Sequence, residues 1–139
     1  MKTYWDTSAA INAAISPEVF RRLESGDHVA RLHLLAEFFA TMTGRGVEIT
    51  DEQGNTDRMV FTQNECAVWL RRFAEKLQFA ELTKEEALHG FDNAQSLSVQ
   101  GARVYDYWHA LVSAKAKSDE LITRNTRHFQ GLAENVVWP

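Results

Sequence analysis

The chain has 139 residues, of which 45% are hydrophobic and 24% are charged, and its formal net charge at pH 7 is −4. These values are ordinary for a folded domain, and they exclude a disordered chain and a strongly basic protein that coats nucleic acid non-specifically. One cysteine excludes an internal disulfide, and no apolar run reaches the roughly 18–20 residues that a membrane span requires. We therefore expect a single domain, residues 1–139, in the reducing cytoplasm.

Short β-prone runs alternate with helical segments along the chain. The first predicted elements are a strand at Thr3–Asp6, an alanine-rich turn of helix, a helix that begins at Pro17, a strand at His28–Leu32 and a helix at Leu34–Met42. After an interruption come a helix from Thr62 to about Lys76, a strand at Leu77–Leu82, a helix from Thr83 to about Leu97 and a helix at Ala102–Lys117. The last are a strand at Glu120–Thr123, a short helix near Thr126–Gly131 and a strand at Asn135–Trp138. This alternation predicts an α/β fold, a three-layer α/β/α sandwich around a mostly parallel central sheet.

The interruption covers residues 47–62. Two runs of alternating polar and apolar residues, Val47–Thr50 and Arg58–Phe61, flank a polar segment with Gly54 and Asn55 at its tip. This pattern predicts a β-hairpin or extended loop inserted into the α/β alternation. At its end, Thr62 and Glu65 match a capping box that begins the next helix.

Three acidic residues are notable for their positions, although their spacing alone does not define a metal site. Asp6 follows the first strand, where a carboxylate caps the next helix, forms an ion pair or binds a metal ion. Glu37 lies roughly 60° outside the apolar arc of its predicted helix, which is typical of a partly exposed boundary residue. Asp106 shares a helix face with small residues such as Ala110 and Ser113, so we expect another element to approach it closely.

Segments at three places along the chain carry a resemblance to a known family. They are Trp5-Asp6-Thr7-Ser8-Ala9, Leu34–Ala40, and Val104–Ala110 followed by Leu121–Phe129. In this order and spacing, over nearly the whole chain, they resemble PIN-domain ribonucleases, most of all the VapC toxins of bacterial toxin–antitoxin pairs. The resemblance implies an endoribonuclease that uses Mg²⁺ or Mn²⁺ to hydrolyse RNA phosphodiesters. It also implies a small antitoxin as partner and a homodimer.

The resemblance implies a set of site residues, matched motif to motif. Asp6, Glu37 and Asp106 are the expected metal-binding and catalytic acids, and Asn125 stands where the family usually has a fourth acid. An asparagine offers a carbonyl oxygen without charge, so we expect weaker binding of a second ion. Ser8, Thr123, Arg124 and Arg127 are the expected substrate contacts. The two arginines could equally belong to an exposed turn.

Two alternative functions stay open at the level of the sequence. One is a PIN-domain nuclease of RNA processing that has no antitoxin. The other is a catalytically weak PIN-like binding protein, for which Asn125 is the supporting feature. In each case the inserted segment 47–62 is expected to border the substrate groove or to contact a partner.

Overall fold

A five-stranded parallel sheet forms the centre of the structure, a computed structural model that describes residues 1–139. The strands of the protein are β1 (Lys2–Trp5), β2 (Asp27–Arg31), β3 (Val47–Thr50), β4 (Thr56–Met59), β5 (Gln78–Ala80), β6 (Glu120–Ile122) and β7 (Val136–Val137). The central sheet has the order β5-β2-β1-β6-β7, and every neighbouring pair is parallel. The predicted α/β sheet architecture is thereby confirmed.

Six α-helices cover the two faces of this sheet. They are α1 (Thr7–Ile15), α2 (Pro17–Arg21), α3 (His33–Thr43), α4 (Gln63–Lys76), α5 (Lys84–Asp92) and α6 (Arg103–Lys115). Side chains alternate between the faces along each strand. Trp5, Ala30 and Ile122 pack in a buried cluster with α1 to α4, whereas Tyr4 and Leu121 pack on the opposite face with α6. None of the helices combines the length and the apolar character needed to cross a membrane.

The ends of two predicted helices differ from expectation. Helix α5 ends at Asp92 and is followed by a 3₁₀ turn at Gln95–Leu97, because the Asn93 amide group donates to the His89 carbonyl oxygen at 3.1 Å. The Asn93 backbone N–H bonds instead to Gly90, so the side chain competes with the helix ladder. The short helix predicted near Thr126–Gly131 is a 3₁₀ turn at Thr126–Phe129.

The insertion forms the predicted hairpin. Strands β3 and β4 pair antiparallel in a two-stranded sheet outside the central one. The capping box at Thr62 is present, with the Thr62 hydroxyl accepting from the Glu65 N–H and the Glu65 carboxylate accepting from the Thr62 N–H. The C-terminal end of the hairpin therefore leads directly into the capped first turn of α4.

Helix α6 packs on the sheet through Ala110 and Val112, and its Tyr107 and His109 are also buried. Ala110 packs with Tyr4 and Leu121, and Ser113 is also buried, whereas the larger Trp108 is only partly buried. The expected close approach on the small-residue face is therefore observed. It places Asp106, in the first turn of α6, beside the carboxyl ends of the central strands.

Candidate metal centre and groove

The topology places one residue, Asp6, at the middle of the sheet edge. From β1 the chain continues to β2 on one side, while β6 pairs with β1 on the other side. A crevice therefore opens at the carboxyl ends of β1 and β6, the usual position of ligand sites in open α/β sheets. Asp6 directly follows β1, and its N–H donates to the Ile122 carbonyl oxygen at the end of β6, at 3.3 Å.

The Asp6 carboxylate is buried and held by three donors. Oδ1 accepts from the Ala9 N–H at 2.9 Å and from the Ser8 hydroxyl at 2.7 Å, and Oδ2 accepts from the Thr123 hydroxyl at 2.5 Å. Asp6 thus caps α1, one of the roles expected for it. The contacts use both lone pairs of Oδ1 and one of Oδ2, which leaves one lone pair of Oδ2 for a further partner.

The same hydroxyl groups fix the loop that follows β6. The Ser8 oxygen accepts from the Arg124 N–H, and the Thr123 oxygen accepts from the Asn125 N–H, each at 3.0 Å. Thr123 is completely buried. Its hydroxyl is therefore placed to position Asp6 and Asn125 rather than to meet a substrate in open solvent.

The two carboxylates at this edge, Asp6 and Asp106, both have raised pKa values. Burial is the main cause that raises the pKa of Asp6, the hydrogen bonds from Thr123, Ala9 and Ser8 lower it, and the nearby Asp106 carboxylate raises it further. Burial also raises the pKa of Asp106, while His128, whose Nδ1 lies 3.7 Å from Asp106 Oδ2, lowers it. Asp6 takes part in none of the salt bridges of the chain. A cation is the partner that would stabilise this pair in its charged form.

The other two expected ligands lie in an adjacent groove of about 740 Å³. Glu37, on α3, is partly exposed and lies 3.6 Å from His33 Nε2. Asn125 contributes from the loop after β6, and Ser8 and Arg124 line the same groove. Arg127, the fourth expected substrate contact, is exposed and does not line it.

The donor set fits Mg²⁺ or Mn²⁺, but the structure does not bring it into one preformed cluster. Carboxylate and amide oxygens suit these hard cations. However, no three His, Cys, Asp or Glu side chains of the chain lie close enough together to hold a metal ion. Thr7, the residue after Asp6, lines the groove, and its buried Oγ1 has no hydrogen-bond partner, so it is a further oxygen that could serve a bound ion or its water. Partly exposed Glu37 and Asp106 must move towards Asp6 before three acids share one ion.

The basic side of the groove was not predicted from the sequence. Arg45 and Arg58, at the base of the hairpin, line it together with Arg124. The available signal was that Arg45 precedes the first strand of the insertion and Arg58 lies in its second strand. The hairpin therefore borders the groove that contains Glu37 and Asn125.

A second polar cluster at the same sheet edge was also missed. Arg31 Nη2 lies 2.8 Å from Glu81 Oε1, and the Trp108 indole N–H donates to Glu81 Oε2 at 2.9 Å. The Arg31 guanidinium also lies 5.1 Å from the centre of the Trp108 ring. Every charged group of this cluster has a partner within it, which makes it a brace between β2, β5 and α6.

Comparison with known proteins supports the fold. One similar structure is the crystal structure of VapBC2 from Rickettsia felis bound to a DNA fragment of the VapBC2 promoter. A chain of that structure superposes on this one with a TM-score of 0.66 at 13% identity. The match covers 100% of this chain and 98% of that one. A chain of VapBC-1 from nontypeable Haemophilus influenzae gives a TM-score of 0.65 at 17% identity, covering 100% and 97%. The sequence matches no protein-family model and no curated protein. At these identities the comparisons confirm the fold that the resemblance implied.

Proposed function

We propose that this chain is a metal-dependent endoribonuclease of the PIN type and the toxin of a toxin–antitoxin pair. The observation that carries the proposal is the buried Asp6 carboxylate, which forms no salt bridge and lies beside Asp106. It follows β1, where the strand order of the sheet changes direction, in a fold that matches chains of two VapBC structures over nearly their whole length. Perturbed carboxyl groups in a crevice of this kind are characteristic of functional sites.

The proposed roles follow from the contacts of each residue. Asp6 offers the free lone pair of Oδ2 to Mg²⁺ or Mn²⁺, and Ser8 and Thr123 fix its orientation. Asp106, Glu37 and Asn125 supply the remaining oxygen ligands. When bound, the ion polarises a phosphodiester and lowers the pKa of a water molecule. Arg124, at the wall of the groove, is placed to contact an RNA phosphate.

The proposal also includes a protein partner and a cellular compartment for this chain. Both similar structures are VapBC assemblies, and the sequence resembles VapC toxins. We therefore propose a small antitoxin that restrains the nuclease, a homodimer as the assembled form and a cytoplasmic location. A pull-down with the product of a small adjacent reading frame tests the antitoxin and separates this role from that of an RNA-processing nuclease.

A PIN-like binding protein is the second candidate function. The separation of the acidic side chains and the uncharged Asn125 favour it, because a weakly bound ion does not support turnover. Measured metal affinity distinguishes the two candidates.

The central experiment is cleavage of a panel of structured and single-stranded RNAs with Mg²⁺ or Mn²⁺. Chelation by EDTA and the double substitution Asp6→Asn/Asp106→Asn should each abolish cleavage. The matched control is Asp27→Asn/Asp92→Asn, which removes two exposed carboxylates without side-chain partners and should cleave normally. If the unsubstituted protein is folded but neither cleaves RNA nor binds Mn²⁺, the nuclease proposal is wrong.

A further inference from the structure

The inserted hairpin is a fixed arm rather than a loose loop. The Gly46 N–H donates to the Thr41 carbonyl oxygen, and the Phe61 N–H donates to the Met42 carbonyl oxygen, each at 2.7 Å. Both ends of the hairpin are thus bonded to the last turns of α3. Phe61 is also buried against Phe38, with ring centroids 6.4 Å apart. The base of the hairpin therefore holds a constant position relative to Glu37, which lies on the same helix.

The tip of the hairpin is closed by its own polar groups. The Asp51 carboxylate accepts from the N–H groups of Gln53 and Asn55 at 2.9 and 2.8 Å, and these bonds lower the pKa of Asp51. A closed tip and an anchored base make the two strands one unit. Side chains at the base then face the groove in a defined arrangement.

The guanidinium groups at this base are free of acidic partners. Arg45, Arg58 and Arg124 all line the groove, all are exposed, and none forms a salt bridge. Arg58 lies opposite Glu48 in the β3–β4 register but donates instead to the Arg45 carbonyl oxygen at 2.7 Å. Each guanidinium has five N–H donors, so this single hydrogen bond leaves most donors of Arg58 available for another partner.

The charge of the groove lining suits a polyanion next to the acidic crevice. Three arginines face two glutamates, Glu37 and Glu48, although the whole chain has a net charge of −4. The groove lining therefore carries a net charge of +1, opposite in sign to the charge of the whole chain. Guanidinium groups bind phosphate in a bidentate manner and are the usual phosphate contacts of nucleic-acid-binding proteins.

We propose that the β3–β4 hairpin is an RNA-backbone-binding arm in which Arg45 and Arg58 hold phosphodiester groups of a strand that lies in the groove. This inference rests on the proposed function, because it takes RNA as the substrate. It assigns to the hairpin a positioning role, separate from the acidic residues at the sheet edge. Sequence-independent contacts of this kind set the register of the strand and leave base selection to other groups.

The test is the salt dependence of binding of a fluorescent single-stranded oligouridylate to the full chain in EDTA. Each phosphate contact contributes about 0.7 to the slope of log K against log salt for a single strand. Arg45→Gln/Arg58→Gln should lower the slope by about 1.4 and, with equal affinities at ~1 M salt, weaken binding roughly 60-fold at ~50 mM salt. Arg45→Gln alone, which breaks no side-chain hydrogen bond, should lower the slope by about 0.7. Arg45→Lys/Arg58→Lys should keep most of the slope, since it keeps both charges.

A variant that loses the same charge outside the groove tests whether weaker binding comes from the hairpin arginines or from the lower net charge of the chain. Arg21→Gln/Arg71→Gln removes two exposed arginines outside the groove and should keep the unsubstituted affinity and slope. An equal loss of affinity in this variant, or an unchanged slope in the folded hairpin variant, overturns the inference. If RNA cleavage that depends on Asp6 persists while the hairpin variant binds normally, only the inference fails. If the unsubstituted chain neither binds oligouridylate nor cleaves RNA, both proposals fail.

Discussion

The hydroxyl group of Thr123 donates a 2.5 Å hydrogen bond to Oδ2 of Asp6, and this bond joins the ends of two adjacent parallel strands. Thr123 also accepts from the Asn125 N–H, so one buried hydroxyl orients both the central acid and the loop that carries the fourth expected ligand. Pairing of β1 with β6 thereby sets the geometry of the site. The carboxylate keeps its position because a neighbouring strand holds it.

Thr123→Val should destabilise the fold and shift the titration of Asp6. Valine preserves the shape of the side chain but removes a hydrogen bond to a carboxylate, which is worth about 2 kcal/mol. Because this bond lowers the pKa of Asp6, its loss should raise that pKa further. Urea unfolding and carboxyl NMR titration measure the two effects. Thr43→Val, at an exposed helix end, is the control, and an equal loss of stability there would contradict the prediction.

Without metal, the protein should become less stable as rising pH ionises buried Asp6 and partly buried Asp106. The pKa values of Asp6 and Asp106 are both raised in the folded state. Their contribution to the free energy of unfolding is therefore fully present below about pH 3.9, the unfolded value, and is lost as pH rises through the folded pKa values. In EDTA, the protein should lose stability relative to Asp106→Asn above that pH. At neutral pH, millimolar Mn²⁺ should make the unsubstituted protein more stable than Asp106→Asn. If the dependence of stability on pH is the same with and without Mn²⁺, that would argue against a metal site.

A buried histidine should make the fold sensitive to acid. His109 Nδ1 lies 2.7 Å from the Tyr4 hydroxyl, and burial lowers the pKa of His109 to about 4. The neutral ring therefore contributes stability that is present above about pH 6.5 and is lost as pH falls towards the folded value, by up to roughly 3 kcal/mol. His109→Gln should flatten the stability profile between these pH values in urea unfolding. His89→Gln changes an exposed histidine and leaves both buried histidines, His28 and His109, in place, so a flattened profile there would refute the assignment.

Local sequence signals predicted the elements well because their causes are local. Alternation of β-prone and helical runs predicted the parallel sheet, and the capping boxes at Thr62 and Thr83 fixed two helix starts. Turn residues around Gly54 predicted the hairpin. The predicted end of α5 was wrong because the actual end depends on a side-chain hydrogen bond from Asn93. This bond competes with backbone hydrogen bonding and has no periodic signature in the sequence.

The site was predictable only in part. The position of Asp6 follows from a single local fact, an acid directly after a strand. In contrast, the distances between Asp6, Glu37 and Asp106 depend on how α3 and α6 pack on the sheet and on the rotamers of partly exposed side chains. The contribution of Arg45 and Arg58 to the groove arises from two backbone bonds between the hairpin and α3, which no residue spacing specifies.

Gly46→Ala should disturb the base of the hairpin. Gly46 has φ +68°, and a Cβ there would overlap the Met59 carbonyl oxygen of the paired strand. Conformational strain costs about 1–2 kcal/mol, and the overlap adds to it. Gly54→Ala is a matched control, since φ is +85° there but the added Cβ meets nothing within 4 Å. Urea unfolding should show a clearly larger loss for Gly46→Ala, and equal losses would show that the base is not tightly packed.

Asn125→Asp should strengthen metal binding. The Asn125 N–H is held by Thr123, and the residue lines the groove beside Glu37, so an added carboxylate increases the negative charge available to an ion there. Because affinity for hard cations rises with ligand charge, we expect Mn²⁺ to bind roughly tenfold more tightly. Calorimetric titration with Mn²⁺ measures this change. Asn64→Asp, at an exposed position in the first turn of α4 outside the groove, adds the same charge and should not change the affinity. An unchanged affinity in Asn125→Asp would show that Asn125 does not occupy the position of the fourth ligand, whichever of the two candidate functions is correct.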